Sequence, residues 1–417
     1  MSAPADLKRS TFRSLHTRNF RLFASGQLVS NTGAWVQRIA QDWLVLSITG
    51  SATAVGITTA LQFLPTLLFG LGGGVIADRY PKRRVLLCTQ VGMASMATTL
   101  AILTLSHHVQ VWHVFLVAFG LGIVVAIDNP TRQSFVNEMV GPEHLRNAVG
   151  INASVFQLGA LIGPAISGML INAVGSGYAF AVNAATYSAS MTALLLMRDS
   201  ELYPARAASS STRVRDGLRY VASRPDVLWP TVLVGVFGLF TVNLPVTLAA
   251  YARSVFHIGA SGYGLLTSVL AVGSVTGALI SAGRARTRLR SLLAIAGTLA
   301  TLYMIAGLAP SEWTYCLVLV GVGVATLLLY TSANSTVQLA ADDSIRGRVM
   351  SVYLMVFIGS GAIGGPLVGW LDEHLGPQAG MLISGLVPAI VTALVAVRLA
   401  RLADVRLRTV VGMVRAA

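Results

Sequence analysis

Apolar runs of about 20 residues, each long enough to cross about 30 Å of hydrocarbon as a helix, recur along the whole chain. Charged residues or Gly/Pro/Ser breaks divide them into twelve stretches. These begin near Asn19, Ala52, Val85, Val111, Asn147, Tyr178, Val227, Gly262, Ser291, Glu312, Val349 and Gly380. The pattern predicts an all-α membrane protein with twelve transmembrane helices and leaves no stretch for a soluble domain of any size. Composition points the same way, since 54% of the 417 residues are hydrophobic and only 11% charged.

The pattern is written twice. Asn129 maps to Asn334, Gly163-Pro164 to Gly365-Pro366 and Gly74 to Gly277, at offsets of 202 to 205, half the chain length. Such duplication is common in transporters and predicts two pseudo-symmetric six-helix bundles. The expected layout is an N-terminal arm (1–18), a first bundle (19–197), a linker (198–226), a second bundle (227–403) and a tail (404–417). Within the linker, Val214, Leu218 and Val221 recur at helical spacing beside Arg215, Arg219 and Arg224. This reads as an amphipathic helix on the inner membrane face, with a solvated basic loop as the alternative.

A net charge of +14 would suggest nucleic acid for a soluble protein, so the distribution of basic residues decides. With twelve spans, all of the 30 Lys and Arg residues except Arg38 and Arg253 fall on one side, together with both termini. Positive-inside bias makes that side cytoplasmic and removes the need for a nucleic-acid partner. The first twenty residues are basic and polar, with no signal peptide expected. Cys88 and Cys316 fall at opposite membrane faces and read as packing residues. Seven histidines, two cysteines and few acids form no metal or triad spacing, and no GxxxxGK[ST] loop occurs. A transporter is therefore expected rather than an enzyme, with no metal or cofactor and the proton gradient as energy source.

The connector "GVIADRYPKRR" gathers Gly74, Asp78, Arg79, Lys82, Arg83 and Arg84 between the second and third spans. It resembles the inner-loop motif of the major facilitator superfamily. That resemblance implies an ion-pair latch between the two halves in one alternating-access state; fixing topology is the plainer reading of the same charges. Pro81 stands where the family usually has Gly, and the mirror loop has Ser281 opposite Asp78. Asp128, with Arg132 one turn on, is a candidate partner for a latch arginine, read as structural or as proton-carrying.

The fifth span carries Gly150, Gly159, Gly163-Pro164 and Ser167-Gly168. It resembles the superfamily's antiporter motif, with tight helix packing as the alternative. The eleventh span repeats a shorter version at Gly361, Gly365-Pro366 and Gly369. The phrases "QDWLVLSITGSATAVG", "AIDNPTRQSFVNEMV" and "LRYVASRP" look most like the branch of bacterial drug:proton antiporters, enterobactin exporters and macrolide pumps. One departure is that no Arg lies in the fourth span, where drug antiporters of the superfamily often carry one.

In the first span Gln27, Asn31, Arg38, Gln41 and Asp42 fall within about 100° of one another on a helical wheel. Polar groups facing lipid are costly, so this face should look onto a cavity or another helix. Asp42, read as the one acid inside the bilayer besides the inner-end Asp128, is the first proton-site candidate with Arg38; a permanent brace between the two is the alternative. By resemblance, Gln62, Asn152, Gln157, Asn243, Tyr330, Asn334 and Tyr353 would line the cavity, with Pro65 and Pro245. The expected function is export of an amphipathic drug, macrolide or siderophore across a bacterial inner membrane by a monomer. A lipid or metabolite transporter and a membrane sensor are the alternatives.

Overall fold

The computed structural model describes residues 12–203, 214–283, 289–342 and 345–416. The N-terminal arm to residue 11, the Ser-rich start of the linker and most of the basic stretch 284–290 lie outside them. Among the described residues there is no strand. The helices are α1 (Arg18–Thr49), α2 (Ala52–Arg79), α3 (Lys82–Leu105), α4 (Val111–Val174) and α5 (Ser176–Leu195). They continue as α6 (Val214–Ser223), α7 (Pro225–Thr241), α8 (Leu244–Ala250), α9 (Gly259–Ala282) and α10 (Leu289–Gly307). The last three are α11 (Glu312–Ala340), α12 (Arg346–His374) and α13 (Pro377–Ala416). Each membrane helix starts within five residues of its expected position, apart from two local departures.

The first departure is at α4, where the chain never leaves helical connection between the spans expected at Val111 and Asn147. Gly141, at φ 67° and ψ 177°, breaks the 64-residue rod into the arms 111–140 and 142–174. Only glycine adopts that backbone cheaply, and Pro142 then restarts the helix with φ already set. The second is the span expected from Val227, which divides into α7, α8 and a π-helical turn at Tyr251–Val255. Pro245 near the start of α8 cannot donate to the preceding turn, and the ladder breaks at Val242-Asn243. Helix α13 runs on to Ala416 through the expected tail.

Among the described residues, nine helices are long and apolar enough to cross a membrane, with the two arms of α4 counted as one. Helices α1 and α5 are not among them, because buried amides and hydroxyls such as Gln27, Gln37, Gln41, Asn183 and Ser190 dilute their hydropathy. These groups pair between the helices: Asn183 Nδ2 donates to Gln37 Oε1 at 2.6 Å, and Gln27 Nε2 to Ser190 Oγ at 3.3 Å. The helix expected in the linker is present as α6 and lies on α12, with Gly217 against the Arg348 carbonyl and Val221 buried. Cys316 is half-buried as expected of a packing residue, but Cys88 is exposed; both are free thiols.

Helices α1 to α5 pack among themselves, as do α7 and α9 to α13, and two seams join the groups, α2 with α12 and α4 with α9. One end of the molecule carries the connector from Arg79 to Arg84, the bend at Gly141 and the start of α12; this is the basic end. Ion pairs knit it locally, Lys82 to Glu138 at 2.6 Å and Arg83 to Asp199 at 2.6 Å.

Candidate functional site

Helix α1 places its polar stripe at the meeting of three helices, and the stripe divides among them. Gln27 turns to α5, the Asn31 backbone and amide lie against Gly159 of α4, and Gln41 is buried with its Nε2 unpartnered. Asp42 is 1% exposed and accepts a hydrogen bond from the Tyr263 hydroxyl of α9 at 2.9 Å, across the line between the two groups of helices. Its other oxygen has no partner. The Trp43 ring stacks on Tyr263 at 6.3 Å and fixes the phenol's position.

Arg38 makes no salt bridge with Asp42, which corrects the reading of the two as a brace. Its guanidinium lies 5.5 Å from the Trp35 ring and 5.7 Å from the Phe63 ring. Aromatic faces attract a cation without neutralising it. Trp35 in turn meets Phe156 edge-on at 6.0 Å. Asn31, Gln62, Asn152 and Gln157 are half-buried and make no side-chain hydrogen bond among the described residues.

Across from them, the Thr241 and Tyr330 hydroxyls are hydrogen-bonded, and Tyr330 meets Phe357 edge-on at 5.1 Å. Tyr353 donates to the Tyr330 carbonyl at 3.4 Å, and Asn334 accepts from Gln338 at 2.6 Å. Asn243 is fully buried at the α7–α8 break; its Nδ2 donates to the Leu239 carbonyl at 2.9 Å, and its Oδ1 is unpartnered. It serves the kink rather than an open wall. Pro65 packs under Gly122 of α4.

Of the connector motif, Asp78, Arg79 and Arg84 are exposed without an ion pair among the described residues, and a Cβ on Gly74 would meet nothing within 4 Å. Lys82 and Arg83 tie α3 to its own half, Arg83 also donating to the Leu194 and Leu195 carbonyls at 2.7 and 2.9 Å. Asp128 likewise stays in its half: it is 2% exposed and accepts from Thr89 at 2.6 Å, Gln90 at 3.3 Å and Arg132 Nε at 2.9 Å. Every oxygen is occupied. Asp128→Ala would strip Arg132 of its partner, and a loss of about 3 kcal/mol is expected. Thermal unfolding in detergent checks it, with the pH dependence of transport unchanged.

The glycine motif of α4 faces two ways. Gly159 and Gly163 lie against the α1 backbone at Asn31 and Thr32 and the Trp35 Cβ, and Ser167 donates to the Val36 carbonyl at 2.8 Å. Pro164 and Gly168 face α9 instead: a Cβ on Gly264 would lie 2.4 Å from the Pro164 oxygen, and one on Gly168 2.9 Å from the Ala260 oxygen. A Cβ on Gly150 would meet nothing within 4 Å among the described residues.

The α2–α12 seam is equally tight away from the basic end. A Cβ on Gly56 would lie 2.0 Å from the Gly365 oxygen, one on Gly365 2.3 Å from the Gly56 oxygen, and one on Gly369 2.4 Å from the Ala52 oxygen. Toward the basic end it loosens, Gly361 meeting the Phe63 ring at 3.1 Å and Gly359 only the Leu67 side chain at 3.8 Å. At the far end Glu373 accepts from Ser51 Oγ at 2.5 Å and from the Thr53 amide at 2.9 Å, capping α2 from the other half. Arg253 donates to the Leu46 carbonyl at the end of α1.

A family model described as "transmembrane secretion effector" matches residues 9–410, nearly the whole chain. The chain belongs to this family of major facilitator transporters. As a transmembrane secretion effector it is a multi-pass membrane transporter and not an enzyme. It is 27% identical over 399 residues to the multidrug efflux pump Tap of Mycolicibacterium fortuitum, covering 93% of this chain and 96% of that one. It is 24% identical over 374 residues to the enterobactin exporter EntS of Citrobacter koseri, covering 88% of each. Among solved structures, a POT family transporter superposes with a TM-score of 0.76 at 16% identity, covering 94% of this chain and 99% of that one. A bacterial homologue of the lysosomal transporter Spinster in an inward-facing, unoccupied conformation gives 0.72 at 15% identity, with 90% and 95% covered.

Sequence reasoning missed Tyr263 and Glu373 and read Arg253 only as an exception to the charge bias; the partners of all three are far away in the chain. It also missed Asp372. That residue is 3% exposed inside α12, so Asp42 and Asp128 are not the only acids buried in the helices.

Proposed function

We propose that this transmembrane secretion effector exports an amphipathic small molecule across the cytoplasmic membrane of a bacterium, in exchange for protons, by alternating access. Two six-helix halves make twelve crossings, the basic end and both termini face the cytoplasm, and the monomer works without a cofactor. The observation that carries this reading is the gradient along the seams: backbone against backbone at the far end, no contact at Gly74 and Gly150 near the basic end. It is the arrangement expected of a transporter shut to the outside and open to the cytoplasm. Trp35, Phe63, Phe156, Tyr330, Tyr353 and Phe357, with unpaired amides among them, suit a solute with aromatic or apolar bulk and scattered polar groups. The names of the relatives agree with outward movement of such compounds.

Asp42 supports the exchange. Its one hydrogen bond comes from α9, so parting of α1 from α9 at the far end would hand the carboxyl to outside water. The deciding experiment reconstitutes the protein in liposomes with a trapped pH dye and an imposed pH gradient, then adds a panel of drugs and siderophores. Substrate-evoked proton movement that vanishes when the gradient is collapsed is the expected result. Substrate movement indifferent to the gradient would sink the exchange reading in favour of a facilitator.

A further inference from the structure

Asp372 lies one residue before Glu373, at the far-end seam. Among the described residues neither of its carboxyl oxygens has a geometrically good hydrogen-bond partner. The Thr247 hydroxyl of α8 faces it, and its Oδ1 lies so close to the Gly380 Cα that a Cβ there would come within 2.0 Å. Two more buried hydroxyls stand unpartnered nearby, Tyr251 on the π-helical turn and Tyr315 on α11, their rings stacked at 4.5 Å. Tyr303 of α10 and Cys316 border Tyr315. Among the described residues no cation faces the group. Arg253 is turned to Leu46, His374 stacks on Trp370 at 4.8 Å, and Glu373 is engaged with Ser51 and Thr53. Residues 52–56 of α2 and Gly380 of α13 bring no ionisable side chain.

An ionised carboxylate enclosed like this has no counter-charge and, at most, the single Thr247 hydroxyl in place of water, and such a group stays neutral or is driven out of the enclosure. We infer that Asp372 is a protonation site in the second half, which takes a proton from the outer side and thereby permits the far-end seam to shut. The inference rests on the exchange reading above and adds the step that links the proton to the conformation. With the seam open, α12 and α2 part at Gly369 and Ala52, and outside water reaches the carboxyl. Once it is protonated, the chain closes over a neutral acid, and the Glu373 cap on α2 forms beside it. The sign follows: the shut form holds one more proton than the open form, so raising the pH favours opening.

The test uses spin labels at Ile48→Cys and Leu375→Cys, with Cys88 and Cys316 replaced by serine, in lipid nanodiscs across a pH series. The wild-type background is expected to move from the short to the long distance as pH rises. Asp372→Asn, a neutral isostere of the protonated acid, is expected to keep the short distance throughout, while Gly297→Ala, on α10 away from both seams and with open space at its Cβ, behaves as the background does. An Asp372→Asn protein that opens with the background's pH profile overturns the inference, and so does a background that ignores pH. Proton movement in liposomes is read in parallel, so exchange that persists in Asp372→Asn with an unaltered pH profile removes this inference and leaves the exchange reading standing. A second measurement needs no variant: a hydrophobic carbodiimide, which attacks protonated carboxyls, should modify Asp372 of the wild-type protein at acid pH and progressively less as pH rises. Labelling that is absent or flat across the series counts against the site.

Discussion

Gly365→Val is expected to stop transport and hold the protein open at the end away from the basic cluster. The Cβ alone would come within 2.3 Å of the Gly56 carbonyl oxygen, and that obstacle is backbone in the second turn of α2, with no flexible tip to swing aside. Overpacking of this kind costs about 3 kcal/mol when the neighbours cannot move. Here they can move, by leaving the shut state. The cost therefore falls on the shut-to-open equilibrium, which should shift by about 100-fold. Distances between labels at Ile48→Cys and Leu375→Cys read the shift directly, and substrate flux in liposomes should drop to near background. Gly297→Ala on α10, outside both seams, is the control, because nothing lies within 4 Å of that Cβ among the described residues. Equal distances in Gly365→Val and the parent would show that the seam does not close in the way drawn here.

The second large effect is expected at Asp42→Asn. The asparagine keeps the shape of the side chain and can still accept from Tyr263, so folding and substrate binding should survive. What it cannot do is exchange a proton. Substrate-evoked proton movement should fall to the level of protein-free vesicles, with substrate affinity within about threefold of wild type, a difference under 1 kcal/mol. Arg38 does not compensate, because its guanidinium is held against Trp35 and Phe63 and makes no salt bridge with residue 42. Proton movement that persists in Asp42→Asn would transfer the coupling role elsewhere, with Asp372 the first place to look.

Much of this was legible in the chain. Long apolar runs gave the helices, because no soluble fold explains them, and the spacing of Gly159, Gly163-Pro164 and Ser167 announced a face that one neighbour approaches closely, while the second neighbour, α9 at Gly168, appeared only in the fold. The connection at Gly141 was hidden because Gly-Pro reads equally as a turn or as a helix start; only the backbone angles decide. The polar stripe of α1 was visible as a stripe, but a sequence cannot say that its members face different neighbours. Tyr263 sits 221 residues from Asp42. Asp372 escaped notice for a different reason: followed by Glu373 and His374, it looks like the solvated end of a helix. Enclosure by Gly380 and Thr247 comes from two other helices and leaves no local signature.

The bend at Gly141 has a mechanical consequence. One residue separates the arm that holds Asp128 and Glu138 from the arm that leans on α1 and α9. A loop of ordinary length would absorb displacement, but a single stiff elbow does not. Lys82 grips one arm near this elbow, so the α3 connector rides on the same lever as the far seam. Tension at one surface of the membrane would therefore be delivered to the other without slack, through the rod itself.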